Sequence, residues 1–125
     1  MMGVWTLRKR FRFEASHVLP HQGGKCARLH GHSWVAWVEV KGTALVPPPS
    51  PRQGMVMDYG DLSAVVSPVV ERSLDHYHLN DSTGLDNPTS EELARWLYDT
   101  IRPALPLLVA VEIEETCTTA CRYET

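Results

Sequence analysis

From Trp5 to His17 the chain alternates with a period of two. Leu7, Phe11 and Phe13 share one register, while Arg8, Arg10 and Arg12 fall on the other. A pleated strand sends successive side chains to opposite faces, so this pattern predicts a strand with one apolar and one charged face. "HGHSWVAWVEVKG", from His30 to Gly42, reads as a second strand, rich in Val and Trp. The stretch between them, "VLPHQGGKCAR", carries a proline and two glycines and reads as a loop. Strands joined this way pair antiparallel. Such a pair must bury its apolar face against something else in the chain, and that requirement limits the remaining elements more than any other feature.

After Gly42 the pattern breaks and its period changes. "VPPPSPRQG", Val46 to Gly54, holds four prolines in five residues, which excludes helix and central strand. Beyond it, Leu62, Val65, Val66, Val69 and Val70 recur at helical spacing, with Asp61 as the expected cap and a kink expected at Pro68. A second helix is predicted in "NPTSEELARWLYDTIRPAL". Thr89 or Asn87 caps it, Glu91 and Glu92 fill its first turn, and Leu93, Trp96, Leu97 and Ile101 form its buried stripe. "LLVAVEIEET" reads as a third strand and "ACRYE" as a fourth. The order β-β-α-α-β-β groups the helices instead of alternating them with strands, which predicts an α+β fold with an antiparallel sheet.

A chain of 125 residues suits one domain, residues 1–125, because neither side of the proline loop is long enough to bury a core alone. No apolar run approaches the roughly 20 residues that span a bilayer. "MMGVWTLRKRF" lacks the apolar middle of a signal peptide, so the expected compartment is the cytoplasm. A formal charge of -3 argues against nucleic acid as a partner. "RKRFR" is too short for a nucleic-acid arm, but it could meet an anionic small molecule. Three cysteines, an odd number, speak against a disulfide framework. Cys117 and Cys121 lack the spacing of a redox pair and read as two half-buried thiols.

His30 and His32 leave the same face of their strand, which is suitable spacing for two ligands on one ion. His17 ends the preceding strand, and antiparallel pairing would bring it beside them. Three neutral imidazoles with one open position are a common catalytic zinc set. Cys26 is four residues before His30 and could instead close the fourth position, making the site structural. Gly31 between the ligands permits close backbone approach. His21 falls out of register with the set and reads as loop surface.

A second titratable cluster lies in "SLDHYHLND". Asp75 is adjacent to His76, with His78 two further on. A carboxylate bonded to an imidazole fixes its tautomer and raises its basicity, and a cysteine beside such a pair ionises more easily. Cys26, Asp75 and His76 could form a proton relay beside a metal. Equally, Asp75 could cap a helix end and the histidines lie on a loop. Glu14, Glu112, Glu114 and Glu115 fit polar positions on strands. Glu114 and Glu115 face opposite ways, so at most one enters a given pocket.

Taken together, "FEASHVLPH", "CARLHGHSW", "LDH", "NPTSEELARWLYD" and "EETCT" resemble the 6-pyruvoyltetrahydropterin synthase family, in order and at compatible spacings over nearly the whole chain. "PTSE" is more similar to the queuosine-pathway branch than to the biopterin branch. The resemblance implies a tunnelling fold: an antiparallel four-stranded sheet with two helices on one face. It implies a homo-oligomer, a trimer that pairs into a hexamer, closed as a barrel with active sites between subunits. It implies Zn2+ on His17, His30 and His32, Cys26 as catalytic cysteine, and Asp75 with His76 as the second acid/base pair. Glu115 would anchor the pterin ring, assisted by Thr116. In relatives a second histidine often follows "LDH" directly. Here Tyr77 intervenes, so His78 is the alternative to His76.

The substrate implied is 7,8-dihydroneopterin triphosphate, cut in the queuosine branch to 6-carboxytetrahydropterin, acetaldehyde and triphosphate. Lys25, Arg28 or the arginines of "RKRFR" are candidates for the triphosphate. Two rivals stay open. One is elimination of triphosphate to 6-pyruvoyltetrahydropterin on the same scaffold. The other is a non-catalytic binding module stabilised by zinc. A redox role for Cys26 ranks below both, since no resolving cysteine lies near it in sequence.

Overall fold

The computed structural model describes residues 3–125; Met1 and Met2 lie outside the described residues. Strand β1 (Trp5–His17) and strand β2 (His30–Gly42) pair antiparallel over their full length, with Ser16 opposite Gly31 and His17 opposite His30. Helix α1 (Tyr59–Ser73) comes after the proline loop. A two-residue strand β3 (Tyr77–His78) and a short helix α2 (Leu79–Ser82) come next. Helix α3 (Ser90–Ile101) leads to strand β4 (Leu108–Thr116) and strand β5 (Thr119–Glu124). Among the described residues no helix is long and apolar enough to cross a membrane.

The strand order is β3-β1-β2-β4-β5. The four long strands are antiparallel as expected. Among the described residues the sheet nevertheless has five strands, because Tyr77–His78 adds parallel to β1 at Ala15 and Ser16, in a segment where the sequence pattern predicts no strand. Two residues are too few to carry a periodic signal, and their pairing depends on where α1 delivers the chain.

Odd-numbered residues of β1 and even-numbered residues of β2 form the buried face. Phe13, Trp34, Ala36, Val38 and Ile113 pack there with Leu62, Val66, Leu93, Leu97 and Ile101 from the helices. Phe13 stacks on Trp34 at 5.9 Å between ring centroids. Burying a large apolar side chain contributes about 1.5–3 kcal/mol, so this face dominates the fold's stability. The opposite face is polar. There Glu39 is only 5% exposed, held by Arg8 Nε at 3.2 Å and by Arg122, while Arg8 stacks 4.4 Å from the Trp37 ring centroid. Burying a carboxylate is costly unless it is paired, and two guanidiniums supply that pairing.

Several local expectations change. Asp58, not Asp61, caps α1, accepting from Gly60 N at 2.6 Å and Asp61 N at 3.3 Å. Asp61 instead pairs with Arg52 of the proline loop. Both aspartates precede the same apolar stripe, and position alone does not separate them. Helix α1 runs through Pro68. The proline is exposed, as is Ala64, so the carbonyl it leaves unbonded faces water. Thr89 caps α3, accepting from Glu92 N at 3.1 Å. Trp96 is half-buried, and Ala94 and Tyr98 complete the α3 stripe. Cys121 is half-buried, but Cys117 is exposed at the β4–β5 turn.

Candidate metal centre

The antiparallel register brings His17 opposite His30, and the period of two places His32 beside them. The imidazole centroids lie 4.5 Å (His17–His30), 5.1 Å (His17–His32) and 5.0 Å (His30–His32) apart. Trp34, two residues along β2, forms the floor, its ring 5.0 Å from His17 and 5.1 Å from His32. Its indole N–H donates to the Ala15 carbonyl at 3.1 Å, so the floor is itself fastened to β1.

Two of the rings are oriented by backbone carbonyls. His17 Nδ1 lies 2.8 Å from the Pro88 oxygen, and His30 Nδ1 lies 2.7 Å from the Arg28 oxygen. A carbonyl only accepts, so each Nδ1 carries the proton and each Nε2 presents a lone pair. Nε2 of His17, His30 and His32 are all buried with no hydrogen-bond partner. Buried nitrogens are rarely left without a partner unless something else binds them. Together with a carboxylate oxygen of Glu115 they form a group whose ligand atoms all lie within 4.8 Å of one another. Glu115 Oε1 is 3.1 Å from His32 Nε2 and 3.4 Å from His17 Nε2. The donor set, three neutral imidazoles and one carboxylate, suits a divalent transition metal such as zinc. Burial lowers the pKa of both His17 and His32, which favours the neutral, metal-ready form.

Glu115 reaches the histidines by the alternation of β4, which puts it on the face opposite to Glu114. The β4–β5 register shifts between Glu114 and Thr116. Glu114 points to the other face, where it accepts from Trp37 Nε1 at 2.6 Å. The family resemblance assigns Glu115 to the pterin ring and does not place it among the histidines. A signal for that placement exists in its parity, since Glu115 shares a register with buried Val111 and Ile113.

Three clefts meet at His32. One, about 450 Å³, holds Cys26, Lys25 and Arg28 beside His30. Cys26 is half-buried on the one-turn helix Lys25–Ala27 and lies outside the four-residue ligand group. Its carbonyl accepts from Leu19 N at 3.0 Å, which closes the loop between the first two strands. A second cleft, about 520 Å³, is lined by Glu14, Ser33, His76 and His78. A third, about 410 Å³, is lined by Ser33, Glu115, Thr116 and Cys117. Thr116 Oγ1 is also bonded within the turn, 2.7 Å from Thr119 Oγ1.

Asp75 and His76 form the turn after α1. Asp75 Oδ1 accepts from Glu14 N at 2.9 Å, and His76 N donates to the Glu14 oxygen at 2.6 Å. Asp75 Oδ2 lies 3.1 Å from His76 Nδ1. The Glu14 N–H, helped by His76, holds the Asp75 carboxyl below its usual range. His76 sits in the left-handed region at φ 65. A non-glycine residue there is strained by about 1–2 kcal/mol, and the bonds to Glu14 hold it in place. His78 is engaged differently, its Nδ1 3.0 Å from Ser16 Oγ. Within one chain, Cys26 and His76 line different clefts that share Gly31 and His32. His21 pairs with Asp86 at 2.7 Å on the exposed loop surface.

The chain as a whole is similar to known proteins. A curated relative from Synechocystis sp., named 6-carboxy-5,6,7,8-tetrahydropterin synthase, is 50% identical over 121 residues, covering 96% of this chain and 93% of its own length. One from Pyrococcus furiosus, named dihydroneopterin monophosphate aldolase, is 37% identical over 97 residues, covering 78% of this chain and 75% of its own. The solved structure of Caenorhabditis elegans 6-pyruvoyl tetrahydropterin synthase superposes with a TM-score of 0.84 at 26% identity, covering 99% of this chain and 97% of that one. The family model for 6-pyruvoyl tetrahydropterin synthase matches residues 6–125, from the first strand through the last, and with it the tunnelling fold: the chain belongs to that family.

Proposed function

We propose that this chain is a zinc-dependent lyase of queuosine biosynthesis. It converts 7,8-dihydroneopterin triphosphate and water to 6-carboxy-5,6,7,8-tetrahydropterin, acetaldehyde and triphosphate. The observation that carries this reading is the convergence of three partnerless, buried imidazole nitrogens at the junction of three clefts. The half-identical Synechocystis relative, named for this activity, supports the choice of reaction.

His17, His30 and His32 hold the zinc. When bound, zinc supplies Lewis acidity toward the oxygens of the substrate side chain. Cys26, in the cleft beside His30, takes a proton from that side chain as general base. His76, held by Asp75, moves protons at the far end, with His78 as the alternative. Glu115 and Thr116 receive the pterin ring, whose amino group and ring N–H donate to the carboxylate. Lys25 and Arg28 border the Cys26 cleft and are the nearest cations for the triphosphate.

That Cys26 and His76 line different clefts of one chain supports a site completed between copies of the chain. The functional form is a homo-oligomer, a trimer or a hexamer, of single-domain subunits working in the cytoplasm. The first experiment is to incubate zinc-loaded protein with 7,8-dihydroneopterin triphosphate and assay acetaldehyde and the pterin product, with Cys26→Ala as control. Acetaldehyde from the wild type alone supports the lyase. Triphosphate release without acetaldehyde replaces it with 6-pyruvoyltetrahydropterin formation.

One observation favours a second reading. Glu115 Oε1 stands close enough to the imidazoles to act as a fourth ligand. A site closed by three histidines and a glutamate would be structural, and the chain a zinc-stabilised binding module. Glu115→Ala separates the two: the lyase keeps its zinc and loses substrate affinity, whereas the closed site loses zinc.

A further inference from the structure

The His17 ring is aimed by the Pro88 carbonyl, and Pro88 belongs to an irregular segment between α2 and α3. That segment has to be held against the end of β1 if the ring is to stay in place. The Asn80 side chain makes this connection. Its Oδ1 accepts from Val18 N at 2.9 Å. Its Nδ2 donates to the Val18 oxygen at 2.8 Å and to the Asp86 oxygen at 3.2 Å. The orientation of the amide is dictated by its partners, since one is an N–H and two are carbonyls.

The carboxamide thus behaves like one more peptide group added beside β1, just past His17. It also reaches Asp86, two residues before the carbonyl that orients the ring. We infer that Asn80 is a positioning residue for the metal centre: it fixes the separation between His17 and Pro88, and through it the tautomer and direction of the His17 ring. Only a primary amide supplies one acceptor and two donors here. Aspartate keeps the bond from Val18 N and loses both donated bonds. Groups that orient a ligand histidine from behind typically change metal affinity by about 10–100-fold when removed. Asn80 acts in this way without touching substrate or metal.

The inference rests on the metal-centre reading, and the test separates the two. Zinc affinity is measured by chelator competition for the wild type, His30→Ala, Asn80→Asp and His21→Ala, and the zinc-free melting temperature is recorded for each. The His17 tautomer is read from long-range 1H–15N NMR of the zinc-loaded protein. The expected result is zinc binding by the wild type, its loss in His30→Ala, and a fall of about tenfold or more in Asn80→Asp with a disturbed His17 signal. His21→Ala breaks the exposed tether on the same loop and keeps wild-type affinity. Wild-type affinity and an unchanged His17 signal in folded Asn80→Asp overturn the inference while leaving the metal centre standing. Absence of zinc binding by the wild type overturns the metal centre itself. If Asn80→Asp does not fold, Asn80→Ser is read by the same criteria.

Discussion

A β-carbon on Gly31 would stand 3.3 Å from the carbonyl oxygen of Ala15. Gly31 lies between two histidines of the candidate centre, opposite Ser16. The neighbour it would meet is backbone, which gives way only by moving a strand. Gly31→Ala is therefore expected to spread β1 and β2 at the ligands and to weaken zinc binding about tenfold, at the low end of the range for groups that support ligands. Chelator competition measures this directly. Unchanged affinity would mean that the strands relax without disturbing the imidazoles.

At the other end of the same strand, Gly42 is close to Val56. A β-carbon there would come within 2.8 Å of Val56 Cγ1. Gly42→Ala should cost about 1–3 kcal/mol by overpacking. The zinc affinity of the folded protein should not change. Urea denaturation of the zinc-free form tests the first statement and chelator competition the second.

Asp75→Asn keeps an acceptor for Glu14 N but removes the charge beside His76. The fold should persist, and turnover should fall by about 10²–10⁴-fold if the pair transfers protons. A kcat within about threefold of wild type would exclude the pair from the reaction. Because the Asp75 carboxyl is held below its usual range, its contribution to stability is fully present above pH 3.8 and is lost only as pH falls through the lower folded value. Asp75 therefore adds nothing to pH dependence near neutrality.

His17 and His32 do. Burial lowers both below the ordinary value of 6.5, so between that value and their folded ones the unfolded chain binds more protons. The stability of the zinc-free protein should be complete above pH 6.5 and decline as pH falls below it. Melting temperatures of stripped protein from about pH 8 to about pH 5 check this. A flat profile would show that the two rings protonate freely in the folded state.

The long strands and the histidine trio can be read in the sequence because both depend on a period of two. Once Phe11, Phe13 and Trp34 are assigned to the core, His17, His30 and His32 go with them onto the same face. Features that depend on where the chain returns are less legible. Asp58 and Asp61 are equally good caps until Arg52 is seen to claim one. Tyr77–His78 joins the sheet because α1 ends beside Ala15. The carbonyls of Pro88 and Arg28 and the amide of Asn80 have no sequence signature for orienting a ring, since their roles exist only after folding. Glu115 is recognisable as a functional candidate, and its parity with Val111 and Ile113 puts it on the face of the imidazoles, but its distance from them exists only after folding.

The strands also give the molecule two unlike ends. His17, His30 and Glu115 stand at one, while Trp5, Gly42 and Leu108 stand at the other, next to the proline-rich loop. Residues added to or removed from Val46–Gly54 should leave the distances among His17, His30 and His32 unchanged. The turn at Cys117–Thr118 has no such freedom, because one residue more or less shifts β5 by one position against β4 and turns its side chains to the opposite faces. Descendants of such a chain should differ in length at the proline end and keep step at the other, and a designer seeking a place to fuse a tag or graft a peptide has the same choice.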